Sequence, residues 1–149
     1  MLIQLNKGVQ IRIDAADKKK VEAYTWRFDG RYAYSWCRKR KRHIFLHRFL
    51  RGFPKGKTVD HVNGDKLDNR RANLRIATHS QQSANKRVNK NNKLKLKGVS
   101  PTGKYFRALL FKEGKYILNA YFKDPITAAR AYDKAAKKAY GKFARLNNV

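Results

Sequence analysis

Acidic residues are scarce in this chain: ten Asp and Glu stand against 37 Lys and Arg in 149 residues, a formal net charge of +27. So lopsided a chain repels itself unless something anionic neutralises it. Solubility alone does not call for such an imbalance. Nucleic acid fits, because neutralising its phosphates releases condensed counterions. Cysteine is nearly absent too. Cys37 stands alone, which excludes an internal disulfide and any Cys-rich zinc site. It reads as a small residue in a strand, in keeping with a reducing compartment. No apolar run is long enough to span a bilayer and the first residues lack a secretory pattern, so the expected location is the cytoplasm, with no membrane partner. Hydrophobic residues, at 42%, suffice for real but small cores, in one ordinary domain or two small ones.

What is present concentrates in one stretch, VDHVNGDKLDNRRANLRIATHSQQSANK, from Val59 to Lys86. A short apolar strand ends in Asp60-His61. Asn63-Gly64-Asp65 supplies the backbone freedom and side-chain hydrogen bonding of a tight turn. A polar loop of Asp, Asn and Arg follows, and Leu74–Ala77 alternates like a half-buried strand. Thr78 with Gln81 three residues on predicts a helix start. A lone Asp-His pair is ordinarily structural. Here it is followed in order by NGD, DNRRANLR and a capped helix, and the ordered context is what gives a short motif meaning. The series resembles the HNH endonucleases of the ββα-metal (His-Me finger) type, in particular the phage and intron-borne homing enzymes, over roughly residues 43–90.

The resemblance implies a site. His61 is then the general base that takes a proton from the attacking water, a task suited to an imidazole titrating near neutrality. Asp60, on the opposite face of the strand end, ligates one hard divalent cation, Mg²⁺ or Mn²⁺. That ion stabilises the leaving 3′ oxygen of the scissile phosphodiester. Asn73, the Asn of NLR, braces the loop carrying the base. The family's second protein ligand falls nine residues after that Asn and is Asn or His; here it is Gln82. Gln carries the same amide oxygen on a stem one methylene longer, and Asn85 is the substitute if the helix rotates.

Upstream, Leu2–Ile13 reads as two short strands around a turn at Asn6-Lys7-Gly8, and Asp14 is expected to cap a short helix through Tyr24. Trp26 and Phe28 precede an Asp29-Gly30 turn and a strand from Tyr32 to Cys37; these aromatics read as a small core, with base stacking the lesser alternative. Arg38-Lys39-Arg40-Lys41-Arg42 follows. Read blandly it is a solvated hairpin tip, yet like charges so packed are unfavourable without an anion, and a phosphate clamp is the preferred reading. Ile44 to Phe53 predicts a strand and a short amphipathic helix, with His47 in a structural role. Arg70, Arg71 and Arg75 add further candidate DNA contacts.

From Lys97 the organisation restarts. Strand patterns at Tyr105–Phe111 and Tyr116–Phe122 are joined by a Glu113-Gly114 turn. Asp124-Pro125 caps a helix that runs to Gly141. Ala129, Tyr132, Ala136 and Ala139 leave it one small face. The signature GV…A…YF…AARAYDKAA…G…A.LN, from Lys97 to Asn147, resembles the plant ethylene-response-factor (Apetala-two) DNA-binding domain. The resemblance implies a three-stranded sheet on one helix, with the exposed sheet face in the major groove. Where that family has Arg and Trp, this chain has mostly apolar residues, among them Leu109, Phe111, Tyr116 and Leu118. They touch thymine methyls or pack against protein; both remain open. Lys97, Lys104, Arg107, Lys112 and Lys115 are expected to meet phosphates.

The expected fold class is α+β: a β-rich lead-in and a ββα-metal nuclease module over 1–90, a basic linker over 91–96, and a three-stranded antiparallel sheet packed on one helix over 97–149. The expected function is a metal-dependent HNH endonuclease acting on double-stranded DNA. One such site cuts one strand, so a monomer nicks and a dimer or re-binding is needed for a double-strand break. A DNA-binding protein or regulator with a decayed nuclease site is the alternative that Gln82 supports. An RNA-binding or nucleoid-like protein explained by charge alone makes the ordered motif a coincidence.

Overall fold

Short alternating segments build the first part of the chain. β1 (Leu2–Gln4) and β2 (Gln10–Arg12) pair antiparallel with Ile3 opposite Ile11, around a 3-10 turn at Asn6–Gly8. A second 3-10 turn, Ala15–Asp17, leads into α1 (Lys18–Glu22). Asp14 does not cap it, contrary to expectation. Its carboxylate makes no bond to the helix and accepts instead from the Arg71 N–H at 2.7 Å, a partner 57 residues away. β3 (Arg27–Phe28), β4 (Ala33–Cys37) and β5 (Arg42–Phe45) form an antiparallel meander, and α2 (Leu46–Leu50) follows directly. The Asp29 turn is fixed by Asp29 Oδ1, which accepts from the N–H groups of Arg31 and Tyr32 at 2.7 and 2.6 Å. Then β6 (Thr58–His61) pairs with β7 (Leu74–Ala77), setting Asp60 opposite Arg75 and His61 opposite Leu74.

These elements close over a core of Ile11, Ile13, Val21, Trp26, Ile44, Leu46, Leu50, Val59 and Leu74. Trp26 is buried and donates its indole N–H to the Val21 carbonyl at 2.8 Å, so its polar edge is satisfied. Its ring packs at a tilt against Tyr24 and Phe49, which makes the lead-in aromatics core residues. Trp36 is the exception at 52% exposure.

The chain divides into two compact units, Met1–Thr78 and His79–Val149, and the computed structural model describes all 149 residues apart from the side chain of Lys7. The second unit opens with α3 (His79–Asn85), which starts where Thr78 and Gln81 predict. Arg145 donates its backbone N–H to the Ala84 carbonyl at 3.2 Å and its Nε to the Asn85 carbonyl at 3.0 Å, tying α3 to the C-terminal segment. β8 (Val99–Thr102), β9 (Tyr105–Lys112) and β10 (Lys115–Phe122) form an antiparallel sheet, and α4 (Pro125–Tyr140) packs on it through Ala128, Ala129, Tyr132 and Ala136. Glu113 and Gly114 both have positive φ, 50° and 80°, the conformation a two-residue hairpin turn demands. Asp124 caps α4 by accepting from the Thr127 N–H at 2.6 Å. Asn147 ties the unit's ends together: its amide oxygen accepts from the Lys97 N–H at 2.6 Å, and its amide NH₂ donates to Asp133.

One sheet position differs from expectation. A bulge between Tyr116 and Leu118 shifts the register, so Tyr116 pairs with Phe111 but Leu118 pairs with Leu110. The extra residue, Ile117, turns Leu118 inward onto the core and leaves Leu109, Phe111 and Tyr116 on the outer face. Among the described residues, no helix is long and apolar enough to cross a membrane.

Candidate active site in the first unit

Strand alternation sets the site. His61 and Asp60 are neighbours at the end of β6, so they leave opposite faces, and both are buried. His61 Nε2 lies 3.4 Å from Asn69 Oδ1. The Asn69 amide nitrogen donates to the Lys66 carbonyl, so its oxygen is the acceptor and Nε2 carries the hydrogen. Nδ1 is then the basic nitrogen of the ring. Burial pushes the His61 imidazole below its usual range, opposed by the Asn69 contact and by the charges of Asp60 and Asp65; Lys66 pushes the same way as burial. The ring is a neutral base.

The loop after β6 is held by an amide network. Asn73 Oδ1 accepts from the Asn63 N–H at 3.0 Å, and its NH₂ donates to the Asp68 carbonyl at 2.7 Å, so one side chain clamps both ends of the loop. Asn63 in turn accepts from the Asp65 N–H and donates to Asp68. Gly64, at φ 77°, makes the turn back from His61. The lead-in hairpin braces the same loop. The Arg12 N–H donates to the Leu67 carbonyl at 2.8 Å, and the Asn69 N–H to the Arg12 carbonyl at 2.7 Å. Nothing local in the sequence signals that contact.

Asp60 meets Arg75 across the sheet: Arg75 Nε and Nη2 both reach Asp60 Oδ2, at 3.1 and 3.0 Å, in a pair largely shielded from solvent. Arg70 holds the buried carboxylate of Asp68, chiefly through its side-chain hydrogen bonds, which lower the acid to about 2. Arg71 forks onto Asp17 at 2.6 and 2.8 Å. Arg70, Arg71 and Arg75 thus each have an internal carboxylate that the sequence did not reveal, although Arg70 and Arg71 remain about half-exposed. A wall of rings flanks His61: His47 at 5.3 Å and Tyr32 at 6.4 Å between centroids. Burial, reinforced by the charge of nearby groups, drives His47 down to about 3, so it is a neutral packing ring, as its expected structural role requires.

The remaining candidates are carried by other elements. Arg38 to Arg42 are all exposed around the β4–β5 turn, with Arg40 folded over the Phe53 ring at 4.2 Å. Gln82 stands half-buried on α3, which belongs to the second unit. Lys97 is turned inward: its ammonium donates to the carbonyls of Ala84 and Lys86, and burial lowers it to about 8. Lys112 donates to the Ala139 carbonyl at 3.0 Å, and Arg107 Nε to Asn119 Oδ1 at 2.9 Å on the outer sheet face. Lys104 and Lys115 are exposed at the two hairpin turns. Among the described residues no group of three or more His, Cys, Asp or Glu forms a metal cage.

A family model described as HNH endonuclease matches residues 40–84. The uncharacterized HNH endonuclease L560 of Acanthamoeba polyphaga mimivirus is 31% identical over 110 residues, 70% of this chain and 57% of that protein, so the chain spans little more than half of its length. Protein 3.8 of Escherichia phage T7 is 31% identical over 108 residues, 70% of this chain and 88% of that one. No solved structure matches the chain. The matched model covers the strand bearing Asp60 and His61, its amide-clamped loop and the return strand, so the chain carries an HNH endonuclease domain over residues 40–84.

Proposed function

We propose that this protein is a metal-dependent DNA endonuclease that hydrolyses one phosphodiester of double-stranded DNA per site, nicking one strand. The observation that carries the reading is His61: a buried, neutral imidazole with its tautomer set by Asn69, on a loop clamped by Asn73. His61 Nδ1 takes the proton of a water as its oxygen attacks phosphorus, and the P–O3′ bond breaks. Asn73 keeps the base in place. Asp60 supplies a hard oxygen suited to Mg²⁺ or Mn²⁺, and the family resemblance assigns Gln82 as the amide ligand. Bound there, the ion would supply charge stabilisation at the phosphate and the leaving oxygen. Arg75 already neutralises Asp60, so loading requires Arg75 to share or release that carboxylate. The second unit is read as the duplex-recognising module, resembling the ethylene-response-factor domain, with Arg107 and Asn119 on its outer face and Lys104 and Lys115 at its edges. A monomer on DNA suffices for nicking.

The Asp60–Arg75 pair also favours the second reading, a DNA-binding protein with a silent nuclease site. A nicking assay on supercoiled plasmid, with and without Mg²⁺ or Mn²⁺, separates them: open circles that depend on metal support the nuclease, and none at any metal concentration supports the binder.

Gln82 is expected to be a weak ligand. Ordering its extra rotor costs up to ~1.5–2 kcal/mol, or about tenfold in affinity. Gln82→Asn and Gln82→His are expected to lower the metal concentration for half-maximal nicking, and Gln82→Ala to raise it. Identical metal curves for wild type, Gln82→Asn and Gln82→Ala would remove Gln82 from the shell and leave Asn85 or water to complete it.

Backbone charge is expected to dominate affinity. Log K should fall linearly with log salt, each neutralised phosphate contributing about −0.9 to the slope. Replacing Arg38 to Arg42 with Gln should flatten the slope and weaken all sequences alike. A shallow wild-type slope, or loss of a single sequence preference, counts against the clamp.

A further inference from the structure

Arg70, Arg71 and Arg75 beside the site all have carboxylates, but two other cations there do not. Arg31 and Lys66 sit over the same ring, Tyr32, with Arg31 Cζ at 5.3 Å and Lys66 Nζ at 4.8 Å from its centroid. Among the described residues neither is in an ion pair with an acid. The nearest carboxylate, Asp29, spends its Oδ1 on the Arg31 and Tyr32 backbone N–H groups. Lys66 is half-buried, and burial first and Arg31 second make its charge harder to hold, offset only in part by the charge of Asp29, so the two cations converge with no ion pair between either of them and an acid. The Tyr32 ring on which both rest is the one that flanks His61 at 6.4 Å. The ring attracts both heads without neutralising them.

We propose that Arg31 and Lys66, seated on Tyr32 beside His61, form a phosphate-binding pair that grips non-bridging oxygens of the DNA backbone at the reacting position. This rests on the nuclease reading of the same site and adds to it the group that holds the substrate's charge. Guanidinium and ammonium donors placed where negative charge grows in the transition state stabilise it more than the ground state. The pair therefore acts on the rate at saturation more than on affinity.

The test is single-turnover nicking by the full-length chain at saturating protein with Mg²⁺ or Mn²⁺, alongside affinity for a short duplex. Lys66→Met and Arg31→Gln are each expected to slow nicking by ~10- to 100-fold, in line with the loss of one charge-stabilising donor. Affinity should move by no more than about threefold, because one contact among many is lost. Lys66→Arg should recover most of the rate, and Lys19→Gln, on the exposed side of α1, should leave both quantities unchanged. Wild-type rates at saturation in Lys66→Met and Arg31→Gln overturn the pair. If the wild type nicks under no metal condition, the nuclease reading fails by itself and the pair is judged on anion binding. Inorganic phosphate titrated into ¹⁵N-arginine-labelled protein should then shift the Arg31 Nε–H resonance saturably, and Lys66→Met should abolish that shift. An Arg31 signal that stays still overturns it.

Discussion

His61→Ala is expected to lower the single-turnover nicking rate by ~10²-fold or more while affinity for DNA survives, the loss typical of a positioned acid–base group. His61 is 5% exposed, so its removal subtracts little from a binding surface built of exposed cations. It does remove the imidazole that Asn69 and the Asn73-clamped loop hold at the end of β6. Truncation also leaves a gap against His47 and Tyr32, so His61→Gln, which refills the space without a base of suitable pKa, belongs in the same experiment. Both variants should lose the rate and both should keep a cooperative thermal transition. Unchanged cleavage in either one would sink the assignment, and a loss confined to a variant that has also lost its fold would point to packing instead.

Gly98→Ala is expected to be the most damaging small substitution in the second unit. Gly98 has φ +71°, and a Cβ there would fall 2.1 Å from two carbons of the Tyr132 ring. Tyr132 is 5% exposed and wedged among Val99, Ala108, Ala129 and Ala136, so it has nowhere to go. A left-handed non-glycine residue costs ~1–3 kcal/mol, and overpacking a filled core costs a further ~1–3 kcal/mol. In a unit of this size each kcal/mol moves the midpoint by roughly 4–8 °C, so the calorimetric transition of this unit should drop by about 10 °C or more. Tyr132→Leu in the same background should cost less than the two single changes added together, because the clash is shared. An unshifted midpoint in Gly98→Ala would show that the ring yields and that this contact does not hold the unit.

Much of the local structure was legible because its causes are local. Val59 to Ala77 announced a strand, a turn and a return strand through apolar alternation and the Asn-Gly-Asp triplet, and β6 and β7 pair as that pattern requires. Glu113-Gly114 and Asp124-Pro125 encode a hairpin and a helix start in their own backbone preferences, and both form. His61 at the end of a strand and Asn73 just before the return strand were legible from the order of the motif, because the turn between them is set by residues a few positions away. Other features needed partners far along the chain. Asp14 reads locally as a helix cap and instead binds the Arg71 N–H; Asp17 draws in the Arg71 guanidinium. Arg75 looks like a DNA contact until the sheet sets it opposite Asp60. Leu118 reads as outward-facing until a single inserted residue reverses the alternation.

The sequence by itself determined the charge, the nuclease motif and the turns, since each depends on residue identity within a few positions of the chain. The tertiary structure decided which cations spend their charge inside the fold and which keep it for a partner: Arg70, Arg71 and Arg75 on buried acids, Lys97 on carbonyls, Arg31 and Lys66 on the face of Tyr32. The reason is physical. A buried carboxylate costs too much to leave uncompensated, so it takes whichever arginine the fold brings within reach, and that choice is made by packing across tens of residues.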